Sequence, residues 1–445
     1  MLKLLKTTTF LAGLAAGNLA FADAHAEGPY AAYEGTTLIV NFPAHPHYNA
    51  VMEVLPEFTA QTGIQVEVDM LPYLDMRERQ TLELALDEGA YDLISYVVFS
   101  KADYVYADQL ENLAKYFMNP MLADPNYDAG DLIDGYVQNI GVAGGEKGYL
   151  PGPTGSLYGL PFGSETSVLY YRADIFEKHG LEVPTDYDAF LELACQIPTL
   201  EDGMGGVASR AASGHQASHA FLLHLAPLGG RVFDAAWNPT INDEAGVAAA
   251  DALKQIVDCG PEGSSAFGPA EAANAFAQGQ AAMFLDSIAF APTFEDESRS
   301  TVVGNVGWAA HPAGVRAASQ TGGFGLGIPA NAENKEAAFL LMQWLTSKEG
   351  DLAVALAGGN PSRFSTYANA ELNATYPWSA TFGEALAFAD PDWRPIIPAW
   401  GRINADIGTT MSEVLTNDLD IQTALDGIAE RTRALMEEEG YYIWQ

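Results

Sequence analysis

The chain has 445 residues, 58 of them acidic against 21 basic, which gives a formal charge of -37 at pH 7. A surface of that sign repels nucleic acid and anionic lipid, and the acidic residues are spread along the chain with no single tail, so solubility rather than polyanion binding is its use. The length exceeds the ~250–300 residues that one hydrophobic core usually supports, so two lobes are expected.

The first residues, MLKLLKTTTFLAGLAAGNLAFADAHA, place Lys3 and Lys6 before a short apolar run and close on Ala24-His25-Ala26. That succession predicts a secretory signal cleaved after Ala26 or after Ala22. The run is too short and too rich in Gly, Ala and Thr to span a bilayer, and no later segment offers the ~20 apolar residues of a membrane helix. No cysteine lies near the cleavage point to carry a lipid, so a free periplasmic protein is expected. The two cysteines, Cys195 and Cys259, fall in the mature part; export permits a disulfide, and the sequence leaves open a bond or two separately buried thiols.

TTLIVNF (36–42) reads as a strand, followed by the loop PAHPHYN. AVMEVLPEFTAQTG has helical spacing at Val51, Val54, Leu55 and Phe58, and IQVEVDM alternates as a strand. A second helix, MRERQTLELALDEG, leads to the strand YDLISYVV, an alternation that argues for a mainly parallel sheet with a ligand crevice at the strands' C-terminal ends. The segment 141–160 is dense in Gly and Pro and predicts a boundary. Beyond PFGSET a second α/β pattern runs through SVLYY, ADIFEKHG, YDAFLELACQI, GVASR, a helix over 217–228, EAANAFAQGQ, AAMFLDS and NVGWAAHP. TGGFGLGIPA (321–330) is again Gly-rich and strand-like, and the remainder is almost entirely helical. Two Gly-rich extended segments between two α/β halves imply that the chain crosses between lobes more than once.

HExxH, GxSxG, P-loop and paired-cysteine zinc patterns are all absent. His45 with His47, and His215 with His219 at helical spacing, lack an acidic partner at a recognisable distance, and loop or helix-surface roles suit them better than metal ligation. Carboxylates are too numerous for counting to reveal a glycosidase pair. The expectation is therefore a binding protein with no cofactor and no metal. Aromatic and hydrogen-bonding residues concentrate in the expected loops: His45, His47 and Tyr48; Tyr96 and Phe99; Arg210 and Gln216; Asp286 and Phe290; Phe324; Arg363; Trp400. Sugars present apolar faces ringed by hydroxyls, which aromatic platforms with carboxylate and guanidinium partners match. Each has a plain alternative, packing for the aromatics and loop anchoring for Arg363. Glu165, after Pro161-Phe162-Gly163-Ser164 and just before SVLYY, would meet ligand if an extended crossing leaves it between lobes, or would pair within the crossing if not.

LPEFTAQTGIQVEVDMLPY, LYGLPFGSETSVLYYRADIFEKHGLEVPTDYDAFLELA, FAQGQAAMFLDS, VGWAAHPAG and GGFGLGIPANAENKEAAFLLMQWLTSKEG resemble successive signatures of the family 1 extracellular solute-binding proteins of ABC importers, over nearly the whole mature chain. WNPTINDEAGV, CGPEGSSAFG and GNPSRFSTY are similar to its sorbitol and mannitol branch. The resemblance implies an α/β, two-lobed periplasmic-binding-protein fold with a cleft, hinge crossings near 161–166 and 321–328, and a helical C-terminal segment. It divides the chain into a signal (1–26), a first lobe (27–162), a second lobe (163–322), a return to the first (323–375) and C-terminal helices of the second (376–445). It implies ligand contacts from His45 to Tyr48, from Tyr96, from Glu165 and from Trp400. Where relatives carry a Trp after the AAM run, this chain has Ser287 to Phe290, and Phe324 replaces the Trp of GGW, which favours a smaller polyol or monosaccharide over an oligosaccharide. The implied function is capture of a neutral sugar or sugar alcohol by a monomer that delivers it to ABC permease subunits. An anionic derivative such as a glycerol phosphate or sulfonated sugar would require Arg210, Arg363 and Arg402 to converge.

Overall fold

The computed structural model describes residues 28–144, 155–417 and 419–442; the signal segment and its cleavage point lie outside the described residues. Among the described residues eleven strands follow one another along the chain: β1 (Thr37–Pro43), β2 (Gln65–Leu71), β3 (Leu93–Val97), β4 (Val142–Ala143), β5 (Ser156–Leu157), β6 (Leu160–Glu165), β7 (Ser167–Arg172), β8 (Gly205–Ala208), β9 (Ala281–Ser287), β10 (Val306–Ala310) and β11 (Gly322–Gly327). They form a five-stranded sheet in the order β2-β1-β3-β11-β6 and a four-stranded sheet in the order β10-β7-β9-β8, with β4 and β5 as a separate pair.

Each large sheet is parallel except for one strand, and the exception has a topological cause. In the first, β1 pairs parallel with β2 and β3, while β11, arriving from the second sheet after β10, runs antiparallel to β3 and β6. In the second, β8 and β9 are parallel, while β7, arriving from the first sheet after β6, runs antiparallel to β9 and β10. A strand that enters from the opposite body meets its new neighbours head-on. The first passage falls at Thr166, between the end of β6 and the start of β7. The Thr166 hydroxyl donates to the Ser319 hydroxyl at 2.6 Å and to the Gln320 carbonyl at 2.9 Å, joining this passage to the returning segment between β10 and β11.

The crossing strands approach closely enough to demand glycine. Gly163 and Gly323 have φ of 77° and 93°, and the β6/β11 register slips between Gly323 and Phe324. A side chain on Gly323 would meet the Gly163 carbonyl oxygen at 2.0 Å, and one on Gly163 would meet the His47 ring at 2.8 Å. The resulting bulge re-aims the ends of both strands, as bulges beside binding sites commonly do.

The chain after PAHP departs from the expected loop. A helix starts at Pro46 and runs to Thr62, because Pro46 presets the first helical φ and the His45 ring caps it, Nδ1 accepting from the His47 amide at 3.2 Å. A second hydrophobic core is built by helices His215–Leu225, Glu244–Asp258, Trp400–Asn417 and Ile421–Glu438, so the C-terminal helices pack beside the second sheet's body.

Cys195, in helix Tyr187–Leu200, is bonded to Cys259, the residue that caps helix Glu244–Asp258, across a sequence separation of 64. Closing a loop of that length removes enough unfolded-state freedom to stabilise by about 2–4 kcal/mol. A Cys195→Ala/Cys259→Ala double variant is expected to lose that amount in chemical denaturation, and an unchanged midpoint would show that the bond adds no stability.

Candidate functional site

Glu165 is the last residue of β6, one position before the chain leaves the first sheet. Its Oε1 lies 3.3 Å from His45 Nε2, and its Oε2 accepts from the Ser287 hydroxyl at 2.7 Å. His45 belongs to the loop after β1 and Ser287 ends β9, so one carboxylate is held from both bodies. The cap bond at His45 Nδ1 puts the ring proton of the neutral imidazole on Nε2, aimed at Glu165. Burial alone would raise the Glu165 pKa, but hydrogen bonds from His45 and Ser287 and the nearby Arg210 charge outweigh it and hold the carboxyl below the usual carboxylate range. The Phe324 ring, 5.1 Å from that of His45, closes the side formed by the returning strand.

Beside Ser287, the fully buried Asp286 receives both arms of Arg210, Nε to Oδ2 and NH2 to Oδ1, each at 2.6 Å. This fork-to-fork geometry fixes the guanidinium plane. The remaining Arg210 nitrogen donates to Gln216 Oε1 at 3.3 Å, and the guanidinium carbon stands 6.0 Å from the Phe290 ring. Further along, Phe99 of the first body meets the His215 ring of the second at 6.4 Å and packs against both cores. Arg77 and Arg394 lie over the Phe99 ring at 5.0 and 6.0 Å. The arrangement offers hydroxyl-accepting carboxylates, hydroxyl-donating guanidinium and imidazole groups, and aromatic walls, which is binding chemistry. Among the described residues no group of three or more His, Cys, Asp or Glu side chains is placed to hold a metal ion.

Eight of the thirteen residues singled out in the sequence thus fall into one connected cluster: His45, Phe99, Glu165, Arg210, Gln216, Asp286, Phe290 and Phe324. Five do not. His47 and Tyr48 sit in the first turn of the helix that replaces the expected loop, with their side chains turned into the core; the Tyr48 hydroxyl pairs with Ser95 and the His47 ring accepts from the Asn360 amide. Tyr96 is fully buried because β3 is covered on both faces, and its hydroxyl donates to the Ile140 carbonyl. Trp400 starts a helix and packs into the second core. Arg363 is completely buried, its guanidinium donating to the carbonyls of Thr346, Asp128 and Tyr127 and to the Asp131 carboxylate. Arg402 is exposed and paired with Glu438 and Glu439, so the trio Arg210, Arg363 and Arg402 does not converge. Ser287 joins the same cluster and Arg77 and Arg394 adjoin it at Phe99, although nothing in the sequence had singled them out; only the Trp393-Arg394 pair between Pro391 and Pro395 carried a local signal, an aromatic-cation dipeptide in a Pro-bounded loop.

The sequence pattern of the family described as bacterial extracellular solute-binding protein matches residues 44–352. The chain is 28% identical over 390 residues to a mannitol-binding protein of Pseudomonas aeruginosa, covering 82% of this chain and 85% of that one. It is 26% identical over 339 residues to an erythritol/L-threitol-binding protein of Mycolicibacterium smegmatis, covering 73% and 69% of the two chains. Its fold matches the crystal structure of an ABC transporter solute-binding protein of Agrobacterium radiobacter in complex with ribitol, with a TM-score of 0.77 at 24% identity over 90% of this chain and 99% of that one. A protein of the same class from Agrobacterium vitis with bound D-mannitol matches with a TM-score of 0.74 at 24% identity over 91% and 99%.

Proposed function

The chain belongs to the bacterial extracellular solute-binding protein family, whose members bind solutes and are not enzymes, and from that premise we propose that it is the periplasmic component of an ABC importer that captures a sugar or sugar alcohol. The observation that carries the ligand class is the Glu165 carboxylate, approached by His45 from the first body and by Ser287 from the second, with the Arg210–Asp286 pair and the Phe290 and Phe324 rings around it. Vicinal hydroxyls both donate and accept, so a polyol satisfies paired carboxylate and guanidinium groups in a way that a hydrocarbon cannot. The mannitol-binding and erythritol/L-threitol-binding relatives support the same class.

In this reading the lobes close about the two crossings, and only the closed form satisfies every polar group of the ligand, which drives closure by differential affinity. The loaded form is then presented to the permease, and the N-terminal signal directs export to the periplasm as a monomer. A thermal-shift panel of mannitol, ribitol, erythritol, glucose, maltose and their acid derivatives tests the ligand class. A true ligand at ~100 times its dissociation constant adds ~2.7 kcal/mol to stability. A rise in melting temperature with at least one of these compounds is expected; no rise with any of them contradicts the reading.

A further inference from the structure

Three arginines converge on one end of the candidate site in a chain that carries 58 acidic residues against 21 basic. Arg77 comes from helix Tyr73–Glu83 of the first body, Arg210 follows β8 in the second, and Arg394 precedes the C-terminal helices. Arg77 and Arg394 lie 5.0 and 6.0 Å from the centre of the Phe99 ring, and the His215 ring beside it feels the positive charge of all three arginines.

Arg210 is neutralised by Asp286. Among the described residues, neither Arg77 nor Arg394 has a carboxylate within ion-pair distance. Arg394 is 6% exposed, lies 3.9 Å over the Trp393 ring, and donates through NH2 to His219 Nδ1 at 2.9 Å. Its buried Nε has no hydrogen-bond partner. Burial and the neighbouring Arg210 charge push its pKa down to about 9. A buried guanidinium with an unused donor and no carboxylate in ion-pair contact is costly unless something else supplies the charge. Carboxylates act on these two arginines only from beyond ion-pair distance, Asp103 on Arg77 and Asp286, already paired with Arg210, on Arg394.

Building on the polyol reading, we propose that the Phe99 end of the site is an oxyanion subsite, and that the preferred ligand is a polyhydroxylated chain carrying a carboxylate or phosphate at the end that meets Arg77 and Arg394. Planar guanidinium groups pair with both oxyanions through two parallel hydrogen bonds, and the aromatic ring beside them excludes water and strengthens the pairing. The hydroxylated remainder would lie toward Arg210, Asp286 and Glu165.

Titration calorimetry of the mature protein with mannitol, gluconate and mannitol 1-phosphate tests this. At least one acid is expected to bind tenfold or more tightly than mannitol, and which acid does so identifies the oxyanion. Arg77→Gln, at a half-buried helix position, should fold and reduce that preference to under threefold. Mannitol binding as tightly as both acids overturns the subsite and leaves the polyol reading standing. A preference that survives Arg77→Gln unchanged also overturns the subsite. Failure of all three compounds to bind overturns the subsite, and the thermal-shift panel of the other sugars and polyols then decides whether the reading on which it rests falls with it.

Discussion

Replacing Arg363 with methionine is expected to destabilise the protein by about 3–5 kcal/mol, the usual cost of removing one partner from a buried charged network. The guanidinium donates to Thr346 O at 2.7 Å, Asp128 O and Tyr127 O at 2.9 Å, and Asp131 Oδ2 at 3.2 Å, so a single side chain serves three carbonyls and a carboxylate. It also stacks over the Tyr127 ring at 4.7 Å, contact that methionine keeps in part. The Thr346 and Tyr127 carbonyls would lose the guanidinium donor in a buried site, while Asp128 O keeps the Asp131 amide at 3.1 Å and Asp131 keeps its bonds from the Ser365 amide and hydroxyl. Chemical denaturation measures the loss. Because the guanidinium bonds only Thr346, Tyr127, Asp128 and Asp131 and none of the residues around Glu165, the folded fraction should bind ligand within threefold of wild type. A large loss of affinity with little loss of stability would restore Arg363 to the site and contradict its structural role.

Acid should unfold the protein steeply, and the cause is four buried histidines. His47, His224 and His311 are pushed down to about 3, and His219 well below its ordinary value, in each case chiefly by burial. In the unfolded chain each ring returns to about 6.5. Between pH 6.5 and about 3 the unfolded state therefore binds more protons, and stability falls as pH falls, by up to about 1.4 kcal/mol per pH unit for each ring. From pH 6.5 to 5 that amounts to as much as about 2 kcal/mol per histidine, a large share of the ~5–15 kcal/mol that a folded protein has in total. The His311 ring bridges the Ser167 hydroxyl at 2.7 Å and the Tyr187 hydroxyl at 3.2 Å, so His311→Gln should flatten the slope at some cost in stability at pH 7. A denaturation midpoint that stays level from pH 7 to pH 5 would contradict this account.

What could be read from the sequence was local. Period-two and buried runs located β1, β3, β7, β9 and β11; of the Gly-rich segments, 321–330 begins where the chain returns to the first sheet, whereas the first passage falls at Thr166, past 141–160, part of which lies outside the described residues. The position of Glu165 at the first crossing was legible because a carboxylate beside Pro161, Gly163 and a following apolar strand has few places to go. His47 and Tyr48 were misread because Pro46 announces a turn and a helix start equally well, and His45 is an uncommon cap. Tyr96 looked like a loop-proximal aromatic, and only the covering of both faces of β3 shows it to be core. Arg363 illustrates a general blindness: a buried arginine and a ligand-facing arginine look the same in a loop. Arg77 and Arg394 escaped for the opposite reason, since residues more than 300 positions apart meet through tertiary folding that no local pattern encodes.

Ligand binding where Glu165 stands between the two bodies is tested by calorimetric titration of wild type, Glu165→Ala and Glu165→Gln with the best compound from the thermal-shift panel. A carboxylate accepting from ligand hydroxyls makes charge-assisted bonds worth ~1.5–3 kcal/mol each. Loss of one such bond in Glu165→Ala should weaken binding by roughly 10- to 150-fold, since each ~1.4 kcal/mol is a factor of ten. Glu165→Gln keeps the shape and one acceptor, and should fall between that variant and wild type. If folded Glu165→Ala binds within threefold of wild type, the carboxylate serves only to join His45 to Ser287 across the crossing, and the ligand site lies elsewhere.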